Sequence, residues 1–251
     1  DYNRSIVDVH SRTASDQGKV LYDYMLGLYD LLERVRSRYP ELLIEGCSAG
    51  GGRFDAGMLY YTPQIWTSDN TDARNRLEIQ YGTSFGYPCS AMGAHVSACP
   101  NEITGRTVPL GARGTVAMGG GAFGYELDLM ELNDRACELI RSQVNTYRTI
   151  EHLVREGLFY RLSDPKDATV AAWEFVSEDG SEALVCAVVT RVDGYGLANY
   201  VVPRGLTPGA SYRMVSNGRV YSADALMDMG LPVSVPATPY ESFMYRFERV
   251  D

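Results

Sequence analysis

Glu41-Leu42-Leu43-Ile44-Glu45-Gly46-Cys47, running directly into Ser48-Ala49-Gly50-Gly51-Gly52-Arg53-Phe54-Asp55, decides the reading of this chain. A short apolar run that ends in small and polar residues is how a buried parallel strand looks where it reaches a functional loop, because such a strand has no solvent face to keep polar. On its N-terminal side, Gln17 to Tyr39 places Leu21, Met25, Leu28, Leu32 and Val35 at three- and four-residue spacing. With Asp16 as N-cap and Pro40 just beyond the end, that spacing predicts an amphipathic helix. On its C-terminal side, Pro63 to Ser68 predicts a second short strand, and Asp72 to Thr83 restores helical spacing through Ala73, Leu77 and Ile79.

Farther out, SAMGAHVS from Ser90 and then GTVAMGG from Gly114 repeat the alternation. AFGYELDL from Ala122 predicts a strand, and Leu132 to Gly157 a long helix with Leu139, Ile140, Val144, Tyr147, Ile150 and Val154 on one face. Strand, loop and helix recurring at roughly thirty-residue intervals is the pattern of parallel βα units. After Pro165 the chain becomes β-rich: AAWEFVS, EALVCAVVT, ANYVVP, SYRMVS and SFMYRFERV are separated by the turns EDGS, TPGA and SNGR. The expected division is therefore an α/β portion over 1–165 and an antiparallel β-sandwich over 166–251. A closed eight-stranded βα barrel takes about 250 residues, so the α/β portion holds only part of a barrel or a complete, smaller open sheet. Spacing alone leaves both open.

With 251 residues, 45% hydrophobic and 22% charged, the chain has the composition of a globular protein. A net charge of -9 argues against a nucleic-acid partner, since phosphate contacts need clustered cations. No run of apolar residues is long enough to span a membrane, and DYNRSIVDVH lacks the features of a signal peptide. Cys47, Cys89, Cys99, Cys137 and Cys186 are odd in number and form no CxxC pair, which disfavours a disulfide framework or a zinc site and makes cytoplasm the default location.

Three segments combine reactive residues with the ends of expected strands: Asp1-Tyr2-Asn3-Arg4, Cys47 to Arg53, and Trp66 to Asp72. Loops that follow parallel strands converge on one rim, so carboxylates from two of them can work as a pair. A retaining glycosidase needs two carboxyl groups about 5 to 5.5 Å apart, one to attack the anomeric carbon and one to give and then take a proton. Asp1 and Asp69 are the candidates.

In this order the motifs resemble the catalytic half of glycoside hydrolase family 36 α-galactosidases. Asp1-Tyr2-Asn3-Arg4 is similar to the family's Lys-Trp-Asp, hydrophobic, Asn-Arg motif without its Lys and Trp; Cys47, Gly50 and Arg53 match C-x-x-G-x-x-R; Ser68, Asp69, Asp72 and Arg76 match S-D-x-x-D followed by Arg. The resemblance implies the second half of a (β/α)8 TIM barrel followed by the C-terminal β-sandwich, as part of a longer protein that is a homo-oligomer. It implies Asp1 as nucleophile, Asp69 as acid/base, and Asn3, Cys47, Gly50, Arg53 and Trp66 around the sugar. The implied substrates are α-galactoside oligosaccharides such as melibiose and raffinose, with no metal and no organic cofactor. A galactosyltransferase of the raffinose or stachyose synthase type shares the same intermediate, and a non-catalytic galactoside-binding remnant is the alternative outside enzymology. The chain by itself is expected to be poorly active or inactive.

Several of these residues also have plain structural readings. Asp72 is read as a cap for the following helix, Trp66 divides evenly between core and sugar stacking, and His95 is read as a hydrogen-bonded core histidine. The three glycines Gly50, Gly51 and Gly52 lack the Lys-Ser/Thr of a phosphate loop, so close approach of backbone to sugar explains them better.

Overall fold

The structure is a computed structural model that describes residues 9–192, 199–233 and 238–250. Two compact units divide the chain, Asp1–Asp69 and Asn70–Asp251.

In the first unit a 3-10 turn, Gln17–Lys19, is capped by the Asp16 carboxylate, which accepts from the Gly18 N–H, and leads into helix α1, Val20–Arg38. Met25, Leu28, Leu32 and Val35 form its half-buried stripe, as their spacing predicts, whereas Leu21, expected on the same face, is exposed. Strand β1 is Glu45–Gly46, the single turn α2 is Ser48–Gly51, helix α3 is Ala56–Tyr61, and strand β2 is Gln64–Ile65. β1 and β2 pair in parallel, Glu45 with Gln64 and Gly46 with Ile65. Both strands are shorter than the apolar runs suggest: Leu42 and Leu43 are exposed, Leu43 at 86%. Strand length is set by the partner, and the β1–β2 ladder extends over two residue pairs only. α3 starts where the Asp55 carboxylate accepts from the Met58 N–H at 2.8 Å, and it packs on α1 through Tyr29 and Tyr61, whose rings stack at 5.4 Å.

In the second unit helix α4, Ala73–Thr83, is followed by strand β3, Gly93–Ser97, helix α5, Leu110–Met118, strand β4, Ala122–Glu126, and helix α6, Asp134–Glu156. β3 and β4 pair in parallel from Gly93 with Ala122 to Ser97 with Glu126. The intervening α5 covers one face, burying Ala94 and Val96 against Ala117. Strand alternation therefore turns Gly93, His95 and Ser97 to the other face. GTVAMGG is thus mostly the end of a helix, Gly114 to Met118 lying in α5. Four parallel strands are present among the described residues, in two pairs.

α6 begins at an Asn133 cap and ends at Gly157, and the chain passes without a linker into β5, Leu158–Arg161. There follow β6, Val170–Val176; β7, Glu182–Val189; β8, Tyr200–Val201; β9, Ser211–Met214; β10, Val220–Ser222; helix α7, Ala223–Met229; β11, Leu231–Pro232; and β12, Ser242–Arg249. Six strands form an antiparallel sheet in the order β10-β9-β12-β7-β6-β5, and β8 and β11 pair separately. Ala171, Trp173 and Phe175 on one face share a core with Val116 of α5 and Ile150, Leu153 and Val154 of α6. Ala172, Val176, Val185 and Ala187 on the other face pack with Val201, Leu226 and Leu231. The division expected at residue 165 thus falls inside the second unit, and the antiparallel sheet already begins at Leu158. One apolar core joins the last βα helices to the sheet, so the change in strand pattern is not a gap in packing.

Candidate active site

Because β1 and β2 are parallel, the segments leaving their C-terminal ends emerge on the same side. The Trp66 N–H donates to the Gly46 carbonyl at 2.7 Å, which closes the ladder where the two loops begin. The first loop is a left-handed turn: φ is +64° at Ser48, +53° at Ala49, +69° at Gly50 and +88° at Gly51. Its hydrogen bonds run from the Gly51 N–H to the Cys47 carbonyl at 3.1 Å and from the Gly52 N–H to the Ser48 carbonyl at 2.9 Å. Glycine accepts this conformation freely, but Ser48 and Ala49 each carry a cost of about 1–2 kcal/mol. Such strain persists only where the surrounding structure holds it.

The turn presses Gly50 against the second loop. A Cβ on Gly50 would stand 2.7 Å from Ser68 Cα and 2.9 Å from the Asp69 nitrogen, so only glycine permits this approach. The C-x-x-G-x-x-R and S-D-x-x-D motifs are therefore in backbone contact at Gly50 and Asp69. Cys47, Ser48 and Arg53 line one side of a cleft of about 220 Å³ whose apolar wall includes Leu28, Leu32 and Ile65. Cys47 and Arg53 are half-buried, Asp69 is exposed at the end of its loop, and Trp66 is 9% exposed beside β2. Asp1 and Asn3 lie outside the described residues, so the expected carboxyl pair has one described member.

Beyond Asp69, in the second unit, the motif's other aspartate is occupied. Asp72 is buried; its Oδ1 accepts from the Arg74 N–H at 2.8 Å and the Asn75 N–H at 3.4 Å, which caps α4. Its Oδ2 accepts from Arg106 Nη1 at 2.6 Å and from the Thr104 hydroxyl. Burial pushes the Asp72 carboxyl upward, but the bonds from Thr104, Arg106 and the Arg74 N–H outweigh it and hold the group below its ordinary value. Arg76, one helical turn on, is nearly fully buried and donates from Nη2 to the Gly93 carbonyl at 2.6 Å, bracing the start of β3. Burial lowers its pKa to about 10, which leaves it a cation at neutral pH. On the other face of β3 and β4, His95 Nδ1 lies 3.6 Å from Glu126 Oε2.

Motif reading missed the loop after β3. Asn101 donates from Nδ2 to Thr71 Oγ1 at 2.9 Å and closes an Asx turn by accepting from the N–H groups of Ile103 at 3.1 Å and Thr104 at 3.0 Å. The signal available was the turn-rich Pro100-Asn101 to Gly105-Arg106 between a strand and a helix. Among the described residues, no group of three or more His, Cys, Asp or Glu is placed to hold a metal ion, and no helix is long and apolar enough to cross a membrane.

Residues 1–157 match the Melibiase family and residues 170–247 match the glycosyl hydrolase family 36 C-terminal domain. The chain is 52% identical over 247 residues to the bifunctional alpha-galactosidase/sucrose kinase AgaSK of Mediterraneibacter gnavus, covering 98% of this chain and 26% of that protein. It is 45% identical over 252 residues to alpha-galactosidase AgaA of Geobacillus stearothermophilus, covering 100% of this chain and 34% of that protein. Among solved structures, the galactosidase domain of AgaSK superposes with a TM-score of 0.90 at 53% identity, over 93% of this chain and 32% of that one. A variant of AgaA solved in complex with raffinose gives a TM-score of 0.91 at 45% identity, over 96% of this chain and 33% of that one. The chain thus spans about a quarter to a third of the length of the curated relatives it matches.

Proposed function

Because the chain belongs to the melibiase family, we propose that it carries the catalytic half of a retaining α-galactosidase, with Asp1 as nucleophile and Asp69 as acid/base. The observation that carries this reading is the contact between the left-handed turn and the Asp69 loop: a sugar-site motif and an acid/base motif meet where only a glycine fits. Asp1 attacks the anomeric carbon while Asp69 gives its proton to the departing glycosidic oxygen. Asp69 then takes a proton from water, which attacks the galactosyl–Asp1 ester and releases galactose with retained configuration. Cys47 and Arg53, which share a cleft, together with Gly50, Trp66 and Asn3, form the sugar surroundings in this proposal.

Terminal α-linked galactose on oligosaccharides is the proposed substrate class, supported by an AgaA variant solved with raffinose and another solved with stachyose. The free state of all five cysteines supports a reducing, cytoplasmic setting. The test is hydrolysis of p-nitrophenyl α-galactoside by a polypeptide that carries these residues and extends upstream of Asp1. Asp1→Ala and Asp69→Ala each lower kcat severely, and azide restores turnover of Asp1→Ala with β-galactosyl azide as product. The same β product from Asp69→Ala reverses the two roles. Unimpaired turnover in both variants removes the reading.

A further inference from the structure

Asp69 is itself exposed, yet a general acid has to be held within about 0.5 Å of its productive position. The residues that follow it are anchored one after another. Asn70 Oδ1 accepts from the Asp72 N–H at 3.0 Å. Thr71 is buried: its carbonyl accepts from the Ser97 hydroxyl at 3.3 Å and its Oγ1 from Asn101 Nδ2 at 2.9 Å. Asp72 takes the Arg106 and Thr104 bonds already described.

The donors are themselves fixed. The Asn101 N–H donates to the Arg106 carbonyl at 2.9 Å and the Gly105 N–H to the Asn101 carbonyl at 2.7 Å, so the loop between them is closed on its own backbone. Asn101 is buried, and Arg106 Nη1 reaches Asn75 Oδ1 at 3.3 Å as well as Asp72. None of these groups is needed to cap a helix except Asp72, whose cap uses one oxygen only. The other oxygen and the Thr71 hydroxyl are spent on the loop after β3.

We propose that Asn101 and Arg106 are positioning residues for the reaction: through Thr71 and Asp72 they fix the backbone that leaves Asp69 and so set the reach of its carboxyl toward the glycosidic oxygen. The inference rests on Asp69 being the general acid. It concerns residues that touch neither substrate nor reacting atoms, so its signature is in leaving-group dependence. A sugar alkoxide is a poor leaving group and needs the proton; p-nitrophenolate is a good one and needs it far less.

The experiment compares kcat/KM on raffinose and on p-nitrophenyl α-galactoside, per folded enzyme, in the polypeptide extended upstream. Thr71→Val removes the hydroxyl at nearly constant volume, Thr71→Ser keeps it, and Asn101→Ala and Arg106→Met remove the donors. The expected result is a fall in the raffinose to p-nitrophenyl ratio of about tenfold or more for Thr71→Val, Asn101→Ala and Arg106→Met, with Thr71→Ser near the parent, as misplacement by a fraction of an ångström produces. Asp69→Ala shows the same selectivity in larger measure. Equal losses on both substrates, or an unchanged ratio, in the Thr71, Asn101 and Arg106 variants while Asp69→Ala remains selective would overturn the positioning role alone. A non-selective Asp69→Ala overturns the acid assignment, and the positioning role with it.

Discussion

β1 and β2 share two residue pairs, whereas β6 and β7 share seven, from Val170 with Val189 to Val176 with Ala183. The long ladder is buried on both faces, every residue of β6 among them. The short ladder ends in a left-handed turn with two non-glycine residues at positive φ. The difference is one of task. A broad antiparallel sheet, packed on α5 and α6 through Trp173 and Phe175, supplies free energy by burying apolar surface. The short parallel pair buries little and spends strain instead, aiming two loops at each other. The proposed chemistry therefore falls on a part of the molecule with less stabilising material, where the two loops are held by close backbone contact at Gly50.

Gly50→Ala tests that contrast most severely. Its Cβ would overlap backbone atoms of Ser68 and Asp69 at a φ of +69°, so one loop has to move. We expect kcat/KM on p-nitrophenyl α-galactoside to fall by about a hundredfold or more, and the stability to fall by about 1–2 kcal/mol for a Cβ at positive φ. A variant that keeps full activity would show that the contact does not set the site.

Trp173→Ala is the mirror image. The indole is buried on the sheet face and its Nε1–H donates to the Gly119 carbonyl at 2.7 Å. Truncation leaves a cavity and an orphaned carbonyl, at a cost of about 3–5 kcal/mol in urea unfolding. Turnover per folded molecule should stay near the parent; abolished kcat in a protein that is still folded and binds substrate with unchanged KM would give the C-terminal sheet a direct part in catalysis.

Asp72→Asn bears on the polar anchors between these extremes. The lost charge weakens the α4 cap and the Arg106 pair, by about 1–2 kcal/mol. Because the folded-state value of Asp72 lies below its ordinary 3.8, its contribution is complete above that value and is lost as pH falls through the folded value. The variant should therefore show a shallower acid transition below pH 3.8, read by circular dichroism at a series of pH values. An unchanged acid transition would mean that Asp72 is not ionised in that pair.

Glu174 gives the smallest effect and the opposite sign. It is fully buried in β6; Oε2 accepts from the N–H groups of Arg204 at 2.8 Å and Gly205 at 3.0 Å, while Oε1 is buried without a hydrogen-bond partner among the described residues. Burial raises the carboxyl above 4.5 against the pull of the two N–H bonds. A carboxyl raised on folding stabilises the protein most below its unfolded value and loses that contribution as pH rises through the folded one. Glu174→Gln should flatten the stability profile above pH 4.5, and an identical slope in parent and variant would contradict the assignment.

Much of this could be read along the chain. The spacing predicts helix α6 over Leu132 to Gly157 and the helix runs Asp134–Glu156, because an apolar stripe and a terminal glycine are both properties of one segment. Asp72 as a helix cap was legible for the same reason. The convergence of the Cys47 and Asp69 loops followed from parallel strands. What the tertiary structure alone decided involves two segments at once. Glu41 to Cys47 became a two-residue strand because its partner offers two residues. Ser48 and Ala49 took left-handed backbone, against their own preference, because Gly50 has to meet Ser68 and Asp69. Asn101 and Arg106, in a loop that carries no catalytic residue type at motif spacing, came to bond Thr71 and Asp72, some thirty residues earlier. Periodicity and capping are written in neighbouring residues, whereas ladder length, close approach and buried polar pairing are settled only when distant segments pack.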